Sequence, residues 1–180
     1  MALSSTPYRV RISLSDTDRG LYGEHSFTIA RHPSETELRM TARLLAWGLW
    51  WDERLAFGRG LSDVDEPALW RHSLDGQIEH WIDVGRPDAD RMTRAARHQS
   101  RASVLAYGPV EVWRDTVVPR VMQQPGLEIA VLPPEAESLA DDLPRKIDWS
   151  LMISDDVLYV GDSAGQHELP LAWLKRIEGG

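Results

Sequence analysis

Between Asp63 and Arg101 an acidic loop, two strand-like segments and an arginine-rich helical segment follow one another, with the residue types of metal-dependent phosphodiester chemistry. The loop reads Asp63-Val64-Asp65-Glu66-Pro67, the second strand ends Trp81-Ile82-Asp83-Val84-Gly85, and Asp88 opens a helix carrying Arg91, Arg94, Arg97 and Arg101. A hard divalent cation such as Mg²⁺ or Mn²⁺ takes several oxygen ligands, and carboxylates on strands about 4.8 Å apart can meet at one ion. Asp83 with Asp65 or Glu66 meets that demand, and the metal would activate water while Arg91 or Arg94 shares the phosphate charge. The plainer alternative stays open: Asp65 and Glu66 are turn residues, and Asp83 serves the turn before Pro87. Two positions after Asp83, where this chemistry wants a lysine, the chain has Gly85; its only lysines are Lys146 and Lys175.

The other residue types offer less. Six histidines lie scattered without ligand spacing, and there is no Cys, so a metal could be held only by carboxylate or imidazole. Gly58-Arg59-Gly60 lacks the Gly-Lys-Ser/Thr of a phosphate loop. Ser34 precedes Glu37 by three residues, which is the pattern of a helix cap before it is that of a nucleophile. Most of the eight tryptophans, with Trp47, Trp50 and Trp51 together at one helix end, read as packing residues.

The elements that must position these residues alternate between strand and helix. Arg9 to Leu14 and Glu24 to Ala30 alternate apolar and polar residues about Asp16-Thr17-Asp18-Arg19-Gly20, which predicts a hairpin on one side of the sheet. Ser34 as N-cap opens a helix ending near Trp51, with Leu38, Ala42, Leu45 and Leu49 on the packing stripe and Glu35, Arg39 and Arg43 as an ion-pair ladder on another face. A second hairpin joins Ala68–Ser73 to Gln77–Val84 across Asp75-Gly76. A helix from Pro87-Asp88, a strand at Val104 to Tyr107, a helix from Pro109 broken at Pro119, and a strand from Leu127 to Leu132 follow. A short acidic helix over Pro134 to Leu143, a hairpin from Ile147 to Val160 turning at Asp155-Asp156, and a strand near Leu169 to Leu174 complete the chain. The run from Ile78 to Leu132 predicts a parallel or mixed sheet, hence an α/β or α+β fold with helices on both faces and added hairpins.

With 180 residues, 42% hydrophobic and 27% charged, the chain has the composition of an ordinary single domain spanning residues 1–180. It has no apolar run near the roughly 18 residues of a membrane span. Neither a basic start nor an apolar stretch marks the N-terminus as a secretory signal, so the expected location is the cytoplasm. A net charge of −8 opposes general attraction to nucleic acid, leaving only a local basic patch to do so.

Met1-Ala2-Leu3, Ala30-Arg31-His32-Pro33-Ser34-Glu35-Thr36, Arg39-Met40 with Arg43-Leu44-Leu45-Ala46-Trp47, Asp52-Glu53-Arg54-Leu55, Asp65-Glu66-Pro67 with Trp70, and Gly85 with Pro87-Asp88 follow one another as ordered motifs. Together they resemble the bacterial YaeQ family. The resemblance spans nearly the whole chain and implies a variant of the PD-(D/E)XK, restriction-endonuclease-like fold; it brings no activity with it. In that pattern Pro67-Ala68 stands where a nuclease has Pro-Asp, Asp83 falls on the acidic position of the second motif, and Gly85 replaces its lysine. Arg91 or Arg94 would be the cation moved to the next helix, and Glu35 lies where the first helix often contributes an acid. Arginine can stabilise charge but is a poor general base.

Two functions follow as expectations. One is a nuclease-like scaffold without catalysis, a binding or interaction protein touching nucleic acid or a protein through the arginine helix. The other is a Mg²⁺- or Mn²⁺-dependent nuclease of DNA or RNA using Asp83 with Asp65 or Glu66, Glu35, and Arg91 or Arg94.

Overall fold

The computed structural model describes residues 4–99 and 101–177, so the opening Met1-Ala2-Leu3 lies outside the described residues. The chain is mixed α+β, with two mixed sheets and few helices. Sheet A has the order β10-β9-β8-β1-β2, built from β1 (Thr6–Asp16), β2 (Leu21–Arg31), β8 (Lys146–Ser154), β9 (Val157–Asp162) and β10 (Gly165–Pro170). Sheet B has the order β11-β7-β6-β5-β4-β3, built from β3 (Leu55–Phe57), β4 (Leu69–His72), β5 (Ile78–Val84), β6 (Arg101–Ala106), β7 (Leu127–Val131) and β11 (Ala172–Lys175). Helices α1 (Glu37–Leu49), α2 (Ala89–His98), α3 (Glu111–Thr116) and α4 (Ala136–Ala140) connect them. No helix among the described residues is long and apolar enough to cross a membrane.

The β1–β2 hairpin was expected beside the central parallel strands; it stands instead in a separate sheet. Its Tyr8, Val10, Ile12 and Leu14 alternate inward with polar residues outward, as in a sheet with one solvent face. The strand beside β1 is β8, which pairs with it in parallel from Arg9↔Lys146 to Asp16↔Ile153. Sheet B meets the expectation of helices on both faces: β5, β6 and β7 are parallel, and β6 and β7 are buried almost throughout, as strands covered on both sides must be.

Helix α1 lies between the sheets. Nine consecutive residues from Met40 to Gly48 are buried, and they share a core with Ile12, Leu14 and Leu151 of sheet A and with Leu69, Ile82 and Leu105 of sheet B. At Gly48 the fit is tight enough that an added Cβ would overlap Leu151 Cδ2. A helix in that position needs its terminal carbonyls satisfied from within the protein. Arg19 does so, donating from Nη1 to Trp51 O (2.9 Å) and from Nη2 to Gly48 O (3.2 Å). Asp16 in turn holds Arg19 Nε at 2.6 Å. On the opposite face of sheet B, Met92 and Ala95 of α2 pack with Trp113 of α3, Val118 and Val121.

Two local expectations are corrected. The N-cap of α1 is Thr36, whose hydroxyl accepts from Arg39 N at 3.1 Å, not Ser34. Ser34 Oγ is bonded to His32 Nδ1, and the Glu37 carboxylate accepts from Leu143 N (3.2 Å), so the capping box has lost both its partners to tertiary contacts. Arg101 opens β6 and is not on the arginine helix. The helix opened after Pro109 stops early, as expected: α3 ends at Thr116 and Pro119 lies in a 3-10 turn, Val118–Val121, because Pro has no N–H to continue an α-helix.

Candidate functional site

Asp83 is the penultimate residue of β5 and Arg91 lies one turn into α2, whose N-cap, Asp88, accepts from Arg91 N at 2.7 Å. Strand end, tight loop and helix start therefore bring the two side chains together. Arg91 Nε lies 2.8 Å from Asp83 Oδ2 and Nη2 lies 3.0 Å from Oδ1, a two-point fork on a carboxylate that is 6% exposed as a residue. Trp81, two residues earlier and thus on the same strand face, donates from Nε1 to Asp83 Oδ2 at 3.0 Å. The guanidinium also ties down the acidic loop, donating to Val64 O (2.5 Å) and Glu66 O (3.0 Å), and it sits 5.4 Å from the Trp81 ring centre. Its bonds to Asp83, more than offsetting burial, hold Arg91 above the usual guanidinium range.

Of the other acids, Glu35 is apart from this pair. Glu35 is buried on the α1 side of sheet B, paired with Arg39 and with Arg43, itself 4% exposed. The ladder expected on a helix surface is thus an interior ion-pair cluster. Burial pulls the Arg43 guanidinium below its ordinary range against the opposing pull of Glu35, and its Nε has no hydrogen-bond partner in the described structure. Ile82 packs in the α1-side core and Trp81 against the α2-side core, so Asp83 emerges on the face opposite to Glu35. Of the Glu35 cluster, Arg39 reaches round the end of the sheet and joins Asp83, Arg91, Glu66 and Arg86 in lining a cavity of about 250 Å³. Ala68, where a nuclease motif would have its acid, lines the same cavity with a methyl group.

Glu66 turns its carboxylate to the backbone N–H of Arg59 (2.7 Å). Asp65 lies in a neighbouring cavity of about 230 Å³ with Trp81, Arg91, Arg94 and His98. Arg94 and Arg97 are exposed and have no carboxylate partner among the described residues. Nor do any three His, Asp or Glu side chains among the described residues gather as metal ligands. The donor set therefore does not fit a Mg²⁺ or Mn²⁺ ion, which needs several free oxygens, because both oxygens of Asp83 face a guanidinium.

Gly85 has φ +101°, and its N–H donates to Leu105 O at 2.9 Å. The residue at the lysine position thus adopts a backbone conformation that side-chain-bearing residues rarely take. Tyr107, just beyond β6, was not foreseen: an added Cβ on Gly85 would stand 3.9 Å from its hydroxyl, and burial raises its pKa. A buried chain of polar groups was also missed. Ser103 Oγ donates to Glu128 Oε1 (2.6 Å), so the His80 Nε2–H donates to Ser103 Oγ (2.7 Å). Arg101 completes it on Glu128 at 2.6 Å. The alternation of β5 and β6 could have placed His80 and Ser103 inward, but their partnership depends on strand register.

The chain matches the family model described as YaeQ protein over residues 1–171. The protein of Salmonella typhi described as "Uncharacterized protein YaeQ" is 34% identical over 177 residues, covering 96% of this chain and 98% of that one. The crystal structure of YaeQ protein from Pseudomonas syringae superposes with a TM-score of 0.94 at 53% identity, covering 97% of this chain and 98% of that one. The YaeQ protein from Xanthomonas axonopodis pv. citri gives a TM-score of 0.92 at 35% identity, over 96% and 99% of the two chains. With sequence and fold agreeing along its length, this chain belongs to the YaeQ family.

Proposed function

We propose that this chain is a non-catalytic binding protein on a restriction-endonuclease-like scaffold, and that the cationic face of α2 takes a single-stranded nucleic acid. The observation that carries the reading is the Arg91–Asp83 fork: a guanidinium stands where nuclease chemistry would need a metal on that carboxylate. The scaffold reading is supported by the parallel β5–β6–β7 core flanked by the β4–β5 hairpin, with α1 on one face and α2 on the other. The ligand reading is supported by Arg94 beside Trp81, with Arg97 exposed one turn further along the same helix, since guanidinium groups near an indole suit a phosphate backbone and a stacked base. Because the chain is acidic overall, few phosphates are engaged and binding is strongest at low salt.

Fluorescence anisotropy with a short single-stranded oligonucleotide tests this. Arg94→Glu with Arg97→Glu should weaken association, and the salt slope of log K should fall by about 1.4 as two phosphate contacts are lost. Absence of association by the unmodified chain at low salt would leave a protein partner as the surviving form of the binding reading.

A second reading, a divalent-metal-dependent phosphodiesterase, is favoured by the convergence of Arg39, Asp83 and Glu66 on one cavity. It requires Arg91 to release Asp83. Cleavage of DNA or RNA with Mg²⁺ or Mn²⁺ that disappears in Asp83→Asn would establish it.

A further inference from the structure

The open ends of the parallel strands hold a third cavity, distinct from the site above. After β6 the chain turns into α3, on the face that α2 covers; after the adjacent β7 it turns into α4, beside α1 on the opposite face. Neighbouring parallel strands whose continuations part to opposite faces leave a crevice at their carboxyl ends, and that is where open α/β sheets bind ligands. Here the crevice has a volume of about 490 Å³, a size usual for small-molecule sites.

Its lining is chemically one-sided. Pro109, Pro133, Pro134 and the Tyr107 ring form apolar walls, and the charged groups on it are two carboxylates, Glu111 and Glu137. Both are exposed, and neither has a hydrogen-bond or ion-pair partner among the described residues. The buried carboxylates of the chain are different: Asp16, Glu35, Asp83 and Glu128 are each held by an arginine. Arg86, which could have neutralised the rim, is committed to the crevice wall, donating from Nη1 to Pro109 O at 2.6 Å.

We propose that this crevice binds a small organic amine, an ammonium group carried on a flat apolar body. The body lies against proline rings, which lose no rotamer freedom when covered. The ammonium meets Glu111 and Glu137, and the Tyr107 ring adds its π face. The net charge of −8 draws cations toward the chain and repels anions of the same shape.

Isothermal titration of the full chain with tryptamine, and with indole-3-acetate as the anion of like shape, tests the assignment. The expected result is saturable one-to-one binding of tryptamine at least tenfold tighter than the acid. The Glu111→Gln/Glu137→Gln double variant should lose that preference with unchanged thermal unfolding, since both side chains are exposed. Ala172→Trp, which fills the crevice from β11, should abolish tryptamine binding while the circular dichroism spectrum is retained. Equal affinity for the two ligands, no binding of tryptamine at millimolar concentration, or a preference that survives in the double variant would each overturn the proposal.

Discussion

Arg91 grips both carboxylate oxygens of Asp83 while its remaining donors hold the backbone of Val64 and Glu66, so one guanidinium joins strand end, helix start and acidic loop. Asp83→Asn halves the fork and removes its charge. It should lower unfolding free energy by about 1.5–3 kcal/mol, the range for hydrogen bonds to charged groups. Urea denaturation measures this, and limited proteolysis should show faster cutting within residues 63–66. Arg91→Lys should behave similarly, because an ammonium cannot bridge two oxygens in a plane. Unchanged stability in both variants would refute the tethering role.

Glu35 stands between two arginines in the interior. Removing it leaves Arg43, buried and already short of a partner at Nε, without a counter-charge. Glu35→Ala should cost about 3–5 kcal/mol, as expected for breaking a buried ion pair from one side. Simultaneous Arg43→Met should recover part of that loss, and a double-mutant cycle by chemical denaturation decides the point.

His80 is 2% exposed, and burial, with Arg101, Arg71 and Arg19 adding to it, lowers its pKa from 6.5 to about 3. Below 6.5 the unfolded chain takes a proton that the folded chain refuses, so this group favours the native state fully above 6.5 and progressively less toward 3. The slope is about 1.4 kcal/mol per pH unit within that window. Thermal unfolding between pH 7 and pH 5 should fall more steeply for the native chain than for His80→Gln. Parallel profiles would show that folding does not depress the His80 pKa.

Gly85→Lys restores the lysine of the nuclease pattern in name only. The added Cβ has room, 3.9 Å from Tyr107, but φ +101° is unfavourable for any side chain. The variant should lose about 1–3 kcal/mol and gain no metal-dependent cleavage. Cleavage appearing in Gly85→Lys would show that the scaffold lacks one residue and nothing else.

The features carried by local pattern were legible in the sequence. The Asp155-Asp156 turn is one, with both residues at positive φ (50° and 63°), as a two-residue hairpin turn requires. The start of α2 after Pro87 is another, because Asp88 caps it. What could not be read were relationships between distant segments. Nothing near Val10 records that Ile147 will lie beside it, so the division into two sheets was invisible. Ser34 and Glu37 match a capping box in sequence, yet His32 and Leu143 claim their side chains. At the candidate site the residues were visible and their partnership was not: Asp83 and Arg91 were read as ligand and phosphate cation, whereas the fold sets them against each other.

The parallel pairing of β1 with β8 also governs how the chain can be made. The first hairpin leaves the ribosome with Val10, Ile12 and Leu14 uncovered on its inner face, and α1 follows with a surface that needs both sheets. The neighbour that flanks β1 arrives only from Lys146 onward, after every strand of sheet B except β11. Closing so long a loop slows folding, and until then the unpaired side of β1 is open to other strands. A chain stopped before Lys146 would retain each of the residues discussed as candidate ligands or cations, and would still lack the strand that flanks β1 and closes over α1.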